Sequence, residues 1–361
     1  MFPRTIRSAV MAACLSLTPL FNAEGQESSA LSGIVESWLN SPHADPASEA
    51  FRHWNEDGAI PPTCAGCHSS PGLRDLLGGD GTAAGVVDHP ALIGSTVDCA
   101  ACHGLAATDL RQVTFPSGAV ATDLGVSAVC MVCHQGRQSS GDLDDAVAGK
   151  GEDAVSPELS FVNVHYRAAA ASLMGSAAHG GYEYPGKTYA GRYAHVRGLD
   201  NCAACHDPHG LDVDAARCAR CHGAAGLAAI RNDPRDTDGD GDSTEGVAGE
   251  VATLHEWLGH AISAYAREVA GAAIAYAPDA YPYFFADLDG NGVADGEERG
   301  YPNRYMQWTP RLLKAAYNYQ FVAKDPGIYA HNPVYARQIL IDSLESLGGV
   351  VAIGRNGWTR P

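Results

Sequence analysis

Ten of the eleven cysteines in this 361-residue chain fall into five copies of one short pattern, Cys-x-x-Cys-His. The copies are CAGCH at 64–68, CAACH at 99–103, CMVCH at 130–134, CAACH at 202–206 and CARCH at 218–222. The remaining cysteine, Cys14, lies in an apolar N-terminal stretch. Because no other cysteine is left over, one kind of chemistry must account for all five copies.

This pattern is typical of c-type haem attachment, in which two thiols bond to one porphyrin and the next histidine binds its iron. Zinc ribbons combine Cys-x-x-Cys units in pairs, which five units cannot do, and neither zinc nor a disulfide requires the histidine. The sequence therefore predicts five covalent haems. The predicted attachment residues are Cys64, Cys67, Cys99, Cys102, Cys130, Cys133, Cys202, Cys205, Cys218 and Cys221. The predicted proximal iron ligands are His68, His103, His134, His206 and His222.

Each haem iron binds a sixth ligand or keeps an open position, and this choice separates an electron carrier from an enzyme. Beyond the N-terminal stretch the chain has only Met131, Met174 and Met306, whereas ten histidines lie outside the motifs. We therefore expect two histidines on most irons. The candidate distal ligands are His43, His53, His165, His195, His209 and His331.

Local sequence separates these candidates. His209 follows His206 by three residues with a proline between them, so we expect it to point away from its own haem and to ligate a neighbouring one. His331 precedes Asn332 and Pro333, a typical helix start, which predicts a fixed position at a helix entry. His165 and His195 lie in the long gap between the third and fourth motifs. His43 and His53 lie ahead of the first motif, where one or both would serve the first haems.

Two acidic loops follow the last motif. The stretch 287–298 matches the twelve-residue calcium loop at every side-chain position, with glycine at position six. The stretch 236–246 begins in the same way but has Val247 at position twelve, so Glu245 would have to close it. We expect one or two calcium ions, against the alternative of solvated acidic turns. The candidate calcium ligands are Asp287, Asp289, Asn291, Asp295, Glu298, Asp236, Asp238, Asp240 and Asp242. The first loop is expected to hold the segment that delivers His331 to its haem.

The chain divides into three regions by pattern. In residues 1–25 two arginines precede a short apolar run, which indicates an export signal. Lipid attachment at Cys14 is the alternative. Residues 26–225 carry all five motifs, and residues 226–361 show helical periodicity and the acidic loops. We expect a mainly α fold with extensive loops, wrapped around the haems, with a helical calcium-binding C-terminal region that packs back on it.

The net charge and the hydropathy of the chain limit the classes of partner and the cellular locations that we expect. The formal net charge is −18 and only four basic residues are lysines, which argues against nucleic-acid binding. No segment after the first 25 residues is apolar enough to span a membrane. The sequence therefore predicts an exported protein in the periplasm, at the cell surface or outside the cell.

With five motifs, CHDPH, NVHY and YAHNP, the chain resembles the multihaem cytochrome c class over nearly its whole length. Four further stretches are similar to a family of exported bacterial multihaem cytochromes. They are FPSGAVATDLG, CMVCHQGR, GGYEYPGKTYAG and WTPRLLKAAYNYQFVAKDPGIYAHN. More distantly, the HNP tripeptide at residues 331–333 resembles a stretch found in the nitrite reductase and hydroxylamine oxidoreductase group. This resemblance implies that His331 is a distal haem ligand. Nitrite reductases usually carry lysine in the catalytic motif, whereas all five motifs here end in histidine.

Two functions follow from this pattern. The first is an electron carrier that passes electrons to redox proteins, other cytochromes or extracellular metal acceptors. The alternative is a multihaem oxidoreductase that acts on a small inorganic nitrogen or sulfur compound at one open haem.

Overall fold

The computed structural model describes residues 23–223, 226–231, 233–354 and 357–361, and for residues 23–29 it describes the backbone alone. Most of the expected export signal, with Cys14, lies outside the described residues. No helix of the described part is both long enough and apolar enough to cross a membrane.

The motif-bearing part folds into short helices joined by long loops. The helices are α1 (Ala23–Leu39), α2 (Glu49–Arg52), α3 (Pro62–His68), α4 (Ser70–Leu76), α5 (Cys99–His103), α6 (Leu105–Thr108), α7 (Ser127–Cys133), α8 (Ser140–Val147), α9 (Ala169–Met174), α10 (Cys202–Cys205) and α11 (Ala215–His222). The described C-terminal helices are α12 (Val247–Glu268), α13 (Pro310–Lys324), α14 (Ile328–His331) and α15 (Pro333–Gly348). Short 3-10 helices lie at Gly175–Ala177, Leu227–Ala229, Gly296–Arg299 and Tyr301–Asn303.

The described strands are two or three residues long and form three two-stranded antiparallel sheets. The pairs are β1 (Ala59–Ile60) with β2 (Ala91–Leu92), β3 (Gln112–Thr114) with β4 (Val120–Thr122), and β5 (Ile274–Tyr276) with β6 (Phe284–Ala286). The described chain is therefore mainly α, as the sequence predicts.

The long helices form where periodicity and capping predict them. The apolar residues that recur at three-to-four spacing in α12 are all buried, namely Val251, Leu254, Leu258, Ile262 and Tyr265. Thr309 caps α13 by accepting a hydrogen bond from the Leu312 amide. Asn332 caps α15 in the same way, with Pro333 in the first turn and Gly349 at the end. The helical periodicity predicted in residues 226–361 and the helix start predicted at Asn332 and Pro333 are therefore confirmed.

The core joins the C-terminal helices to the motif-bearing part of the chain. Helices α12, α13 and α15 pack on one another, and side chains of α13 bind loop backbone from residues 163–184. The Gln320 side chain accepts a hydrogen bond from the Val164 amide (2.9 Å), and Asn318 accepts one from the Tyr182 amide (2.7 Å). Both contacts are buried, so the helices fix the loop on which His165 stands.

Candidate haem sites and acidic loops

Each Cys-x-x-Cys-His motif lies on a short helix, namely α3, α5, α7, α10 or α11. Cysteines three residues apart emerge on the same face of such a helix, which suits two thiols that bond to one porphyrin edge. Asp98, Asn201 and Asp214 cap three of these helices through hydrogen bonds from backbone amides of the first turn. Local capping therefore fixes the first turn of three of the five motif helices.

Every motif histidine lies next to one histidine from elsewhere in the chain. The ring-centre distances are 5.8 Å for His68 and His165, 6.3 Å for His103 and His209, 6.2 Å for His134 and His43, 6.3 Å for His206 and His331, and 6.0 Å for His222 and His195. The five pairs share no histidine. This pairing is a tertiary feature, because the members of most pairs are far apart in sequence.

The spacing within the pairs fits one iron between two imidazoles. A metal–nitrogen bond of about 2 Å and about 1 Å from nitrogen to ring centre, counted on both sides, give centres about 6 Å apart. The observed distances of 5.8 to 6.3 Å match this span. Direct hydrogen bonding between the rings would bring their centres closer, so the pairs leave room for an atom between them.

Hydrogen bonds at one ring nitrogen leave the other free for a metal. The Nδ1 atoms of His68, His134 and His206 lie 2.7, 3.2 and 3.3 Å from backbone carbonyl oxygens. An Nδ1–H that donates to a carbonyl fixes the tautomer with a lone pair on Nε2, the arrangement typical of metal-bound histidine.

Burial keeps several of these imidazoles neutral. Desolvation, followed by the nearby His134, lowers the pKa of His43 to about 4. Desolvation, followed by His68, lowers the pKa of His165 to about 4 as well. A neutral imidazole has a free electron pair, which a metal requires.

The motifs are not arranged in space as they are along the chain. The Cys67 thiol contacts the Val132 carbonyl (3.8 Å), and the Cys133 thiol contacts the Gly66 carbonyl (3.9 Å), so the first and third motifs are adjacent. The Cys202 amide donates a hydrogen bond to the Ser127 hydroxyl of α7 (3.0 Å), which places the fourth motif beside the third. The third motif therefore lies between the first and the fourth.

Five of the six candidate distal histidines belong to the pairs, and His53 does not. The Nδ1 atom of His53 instead lies 3.0 Å from Glu49 Oε1 on the surface. His43, which we expected near the first haems, pairs with the third motif. His209 lies beside His103 of the second motif rather than beside His206 of its own motif.

Sequence reasoning missed Asp325, a buried carboxylate beside His331. Its two oxygens lie 2.9 and 2.8 Å from the Nδ1 atom of His331. Only 2% of Asp325 is exposed. A carboxylate that accepts from one ring nitrogen orients the ring and strengthens its other nitrogen as a ligand. The sequence shows only an Asp-Pro-Gly turn six residues before His331.

The 287–298 loop brings its first, third and last carboxylates together. Oxygens of Asp287, Asp289 and Glu298 lie within 4.8 Å of one another, and Gly292 at position six has φ of 83°. Glu298 is 7% exposed, and its Oε2 atom has no hydrogen-bond partner among the described residues. The carboxylate of Asp295 does not join this group.

The 236–245 loop gathers a larger acidic cluster. Oxygens of Asp236, Asp238 and Glu250 lie within 4.8 Å of one another, as do those of Asp238, Asp240 and Glu245. Burial, followed by the neighbouring carboxylates, raises the pKa of Asp238 to about 6 and that of Glu245 to about 7. Glu250, which the sequence analysis missed, comes from the first turn of α12.

The two loops differ in what they touch. The 287–298 loop lies beside the β5–β6 sheet, where the Asp287 amide donates to the Ala273 carbonyl (3.1 Å). The 236–245 loop contacts α15, the helix that begins just after His331: Arg337 donates to the Thr237 hydroxyl (2.8 Å). We expected the first loop to support His331, but the direct contact to that helix comes from the second.

Comparison with known proteins found related cytochromes. The chain is 27% identical to the C-type polyheme cytochrome OmcB from two strains of Geobacter sulfurreducens, over 91% of this chain. It is 28% identical to the C-type polyheme cytochrome OmcC of the same species over 86% of this chain. These relatives support a multihaem cytochrome c with covalently bound haem.

The chain spans about half the length of the curated relatives it matches, 49% of OmcB and 46% of OmcC. No protein-family model matches it, and no solved structure matches it.

Proposed function

We propose that this chain is an exported pentahaem cytochrome c that passes electrons along haems held between pairs of histidines. The observation that carries the proposal is that each of the five motif histidines has its own partner histidine at the spacing of one iron. An iron with two protein ligands has no open position for substrate. The pairing therefore favours electron transfer over conversion of a small molecule.

In this proposal the chain supplies attachment, ligation and spacing, and haem c supplies the reversible one-electron change of its iron. The contacts between motifs make the third haem a neighbour of the first and fourth. The short connection between α10 and α11 keeps the fourth and fifth together, with Arg217 of α11 bonded to the Ala204 carbonyl. Electrons would enter and leave through other cytochromes, redox proteins or extracellular metal acceptors.

Calcium at the 287–298 loop is part of the proposal. The buried Glu298 Oε2 atom without a partner supports it, because a buried carboxylate oxygen needs a cation or a donor. The ion would brace the β5–β6 sheet against α12, since Arg267 of α12 also approaches Asp287 (3.7 Å).

The haem count is tested by intact mass. Expression with export in a host that matures cytochromes c should give a protein whose mass exceeds that of the processed chain by five haems, because all five motifs are complete. Replacing both cysteines of the fifth motif, Cys218 and Cys221, with alanine should remove one haem and leave four. A wild-type protein with fewer than five haems would contradict the proposal.

The pairing is tested at His209. Replacing His209 with alanine should convert the haem of the second motif from low-spin to high-spin and leave four low-spin haems, because His209 lies 6.3 Å from His103. Electron paramagnetic resonance of the oxidised protein measures the two populations. The control is His260→Ala, which removes an exposed histidine of α12. An unchanged spectrum of the His209 variant would exclude His209 as a ligand.

A further inference from the structure

The 236–245 loop holds a buried carboxylate oxygen that nothing in the described chain satisfies. Asp238 is 0% exposed, and its Oδ2 atom has no hydrogen-bond partner among the described residues. The Glu245 Oε1 atom is also buried without a partner in the same cluster. Two buried carboxylate oxygens without partners in one cluster are unfavourable unless a cation or proton satisfies them.

The side chain of Arg231, the basic residue next to this cluster, already binds other groups. Arg231 binds Glu250 Oε1 (2.7 Å) and the Glu245 carbonyl (2.8 Å). Among the described residues, no ion pair reaches the carboxylates of Asp236, Asp238, Asp240 or Glu245. The cluster therefore carries up to four negative charges without a matching cation.

The geometry suits a hard divalent ion with oxygen ligands. Ligand oxygens within each group of three lie within 4.8 Å of one another. Calcium accepts six to eight oxygens in a flexible geometry, whereas magnesium requires a strict octahedron and keeps several of its waters, so a loop that offers four carboxylates suits calcium better. Four carboxylates without any thiol or imidazole also disfavour zinc and other softer metals.

We propose that this loop binds one calcium ion through Asp236, Asp238, Asp240 and Glu245, and that the ion holds the start of α15 and thereby His331. The haem part of this inference depends on the proposed function, but the calcium site does not. Glu250 holds the backbone of the loop in place, because its Oε2 atom accepts hydrogen bonds from the Thr237 amide (2.8 Å) and the Asp238 amide (3.0 Å).

The loop is connected to His331 by a short path. Arg337 of α15 donates to the Thr237 hydroxyl (2.8 Å) and, through Nε, to the Pro333 carbonyl (3.1 Å). Pro333 is two residues after His331. The Thr359 amide donates to the Thr237 carbonyl (2.8 Å), which ties the C-terminal segment to the same loop. Release of the ion should loosen these contacts together.

The site is tested by calcium stoichiometry on the chelator-stripped, haem-loaded protein. Asp238→Asn should bind one calcium ion fewer than the wild type in isothermal titration calorimetry, because it removes the central buried ligand. The matched control is Asp109→Asn, which makes the same charge change at an exposed carboxylate outside both acidic loops. If Asp238→Asn binds as many ions as the wild type with equal affinity, the site is overturned.

Two further variants keep the test decisive. If Asp238→Asn does not fold, the exposed Asp240→Asn should still bind this ion at least tenfold more weakly, and unchanged affinity there would overturn the site. Glu298→Gln should lose only the ion of the other loop. Loss of the 236–245 ion should change the resonance of one low-spin haem, whereas Glu298→Gln should not. If that ion is lost without any haem change, the connection to His331 is overturned.

Discussion

Replacing His331 with alanine should convert the haem of the fourth motif from low-spin to high-spin and destabilise the folded protein. His331 lies 6.3 Å from His206, so its loss removes one proposed axial ligand. It also leaves Asp325, which is 2% exposed, without its partner in a buried place. Leaving a buried carboxylate without its hydrogen-bond donor costs about 3 kcal/mol. Electron paramagnetic resonance measures the spin change, and thermal unfolding of the oxidised protein measures the stability.

The control for this experiment is His53→Ala. His53 also has a carboxylate at Nδ1, from Glu49, but both side chains are exposed and His53 does not belong to any of the histidine pairs. All five haems should then remain low-spin and the melting temperature should change little, because exposed ion pairs contribute little. A His331 variant that retains five low-spin haems would contradict the assignment of this histidine.

The local parts of the haem sites could be predicted from sequence because spacing alone determines them. Two cysteines and a histidine within five residues share one helical turn, whatever the rest of the chain does. His209 could likewise be excluded from its own haem, since three residues with a proline leave no room to fold back. Which haem it does approach depends on how α5 packs against the loop after α10, and no short-range pattern encodes that.

The pairing of His43 is a second case in which local sequence could not predict which motif a histidine approaches. His43 precedes the first motif by about twenty residues, so proximity in sequence favoured the first haems. The structure brings it instead to His134, because the third motif is packed against the first. Tertiary packing of α3 against α7 decided this, and only the fold reveals it.

The two acidic loops also differ in how much of each cluster could be predicted from local sequence. The 287–298 loop carries its ligands within twelve residues, so the template found Asp287, Asp289 and Glu298 directly. Glu250 stands on α12 beyond the template, and reaches Asp238 only because the helix begins where the loop ends. The helices themselves were predictable, since apolar periodicity and the Thr-Pro and Asn-Pro caps are local signals.

Replacing Asp325 with asparagine should raise the reduction potential of the haem bound between His206 and His331. The Asp325 carboxylate accepts a hydrogen bond from His331 Nδ1, which makes Nε2 a stronger electron donor and favours the more highly charged ferric iron. An asparagine carbonyl of similar size keeps the hydrogen bond but removes the charge. A tenfold change in the relative affinity of the two iron states corresponds to about 59 mV. We expect one of the five potentials to rise by this order in a spectroelectrochemical titration.

The control for the potential is Glu49→Gln, which removes the carboxylate from His53 Nδ1 in the same way. Because His53 has no partner histidine, all five potentials should stay where they are in the wild type. The Asp325 variant should also keep five low-spin haems, since His331 itself remains. A potential that does not move while the haem stays low-spin would mean that Asp325 only orients the ring. A change to high-spin would mean instead that the carboxylate is needed to hold His331 against the iron at all.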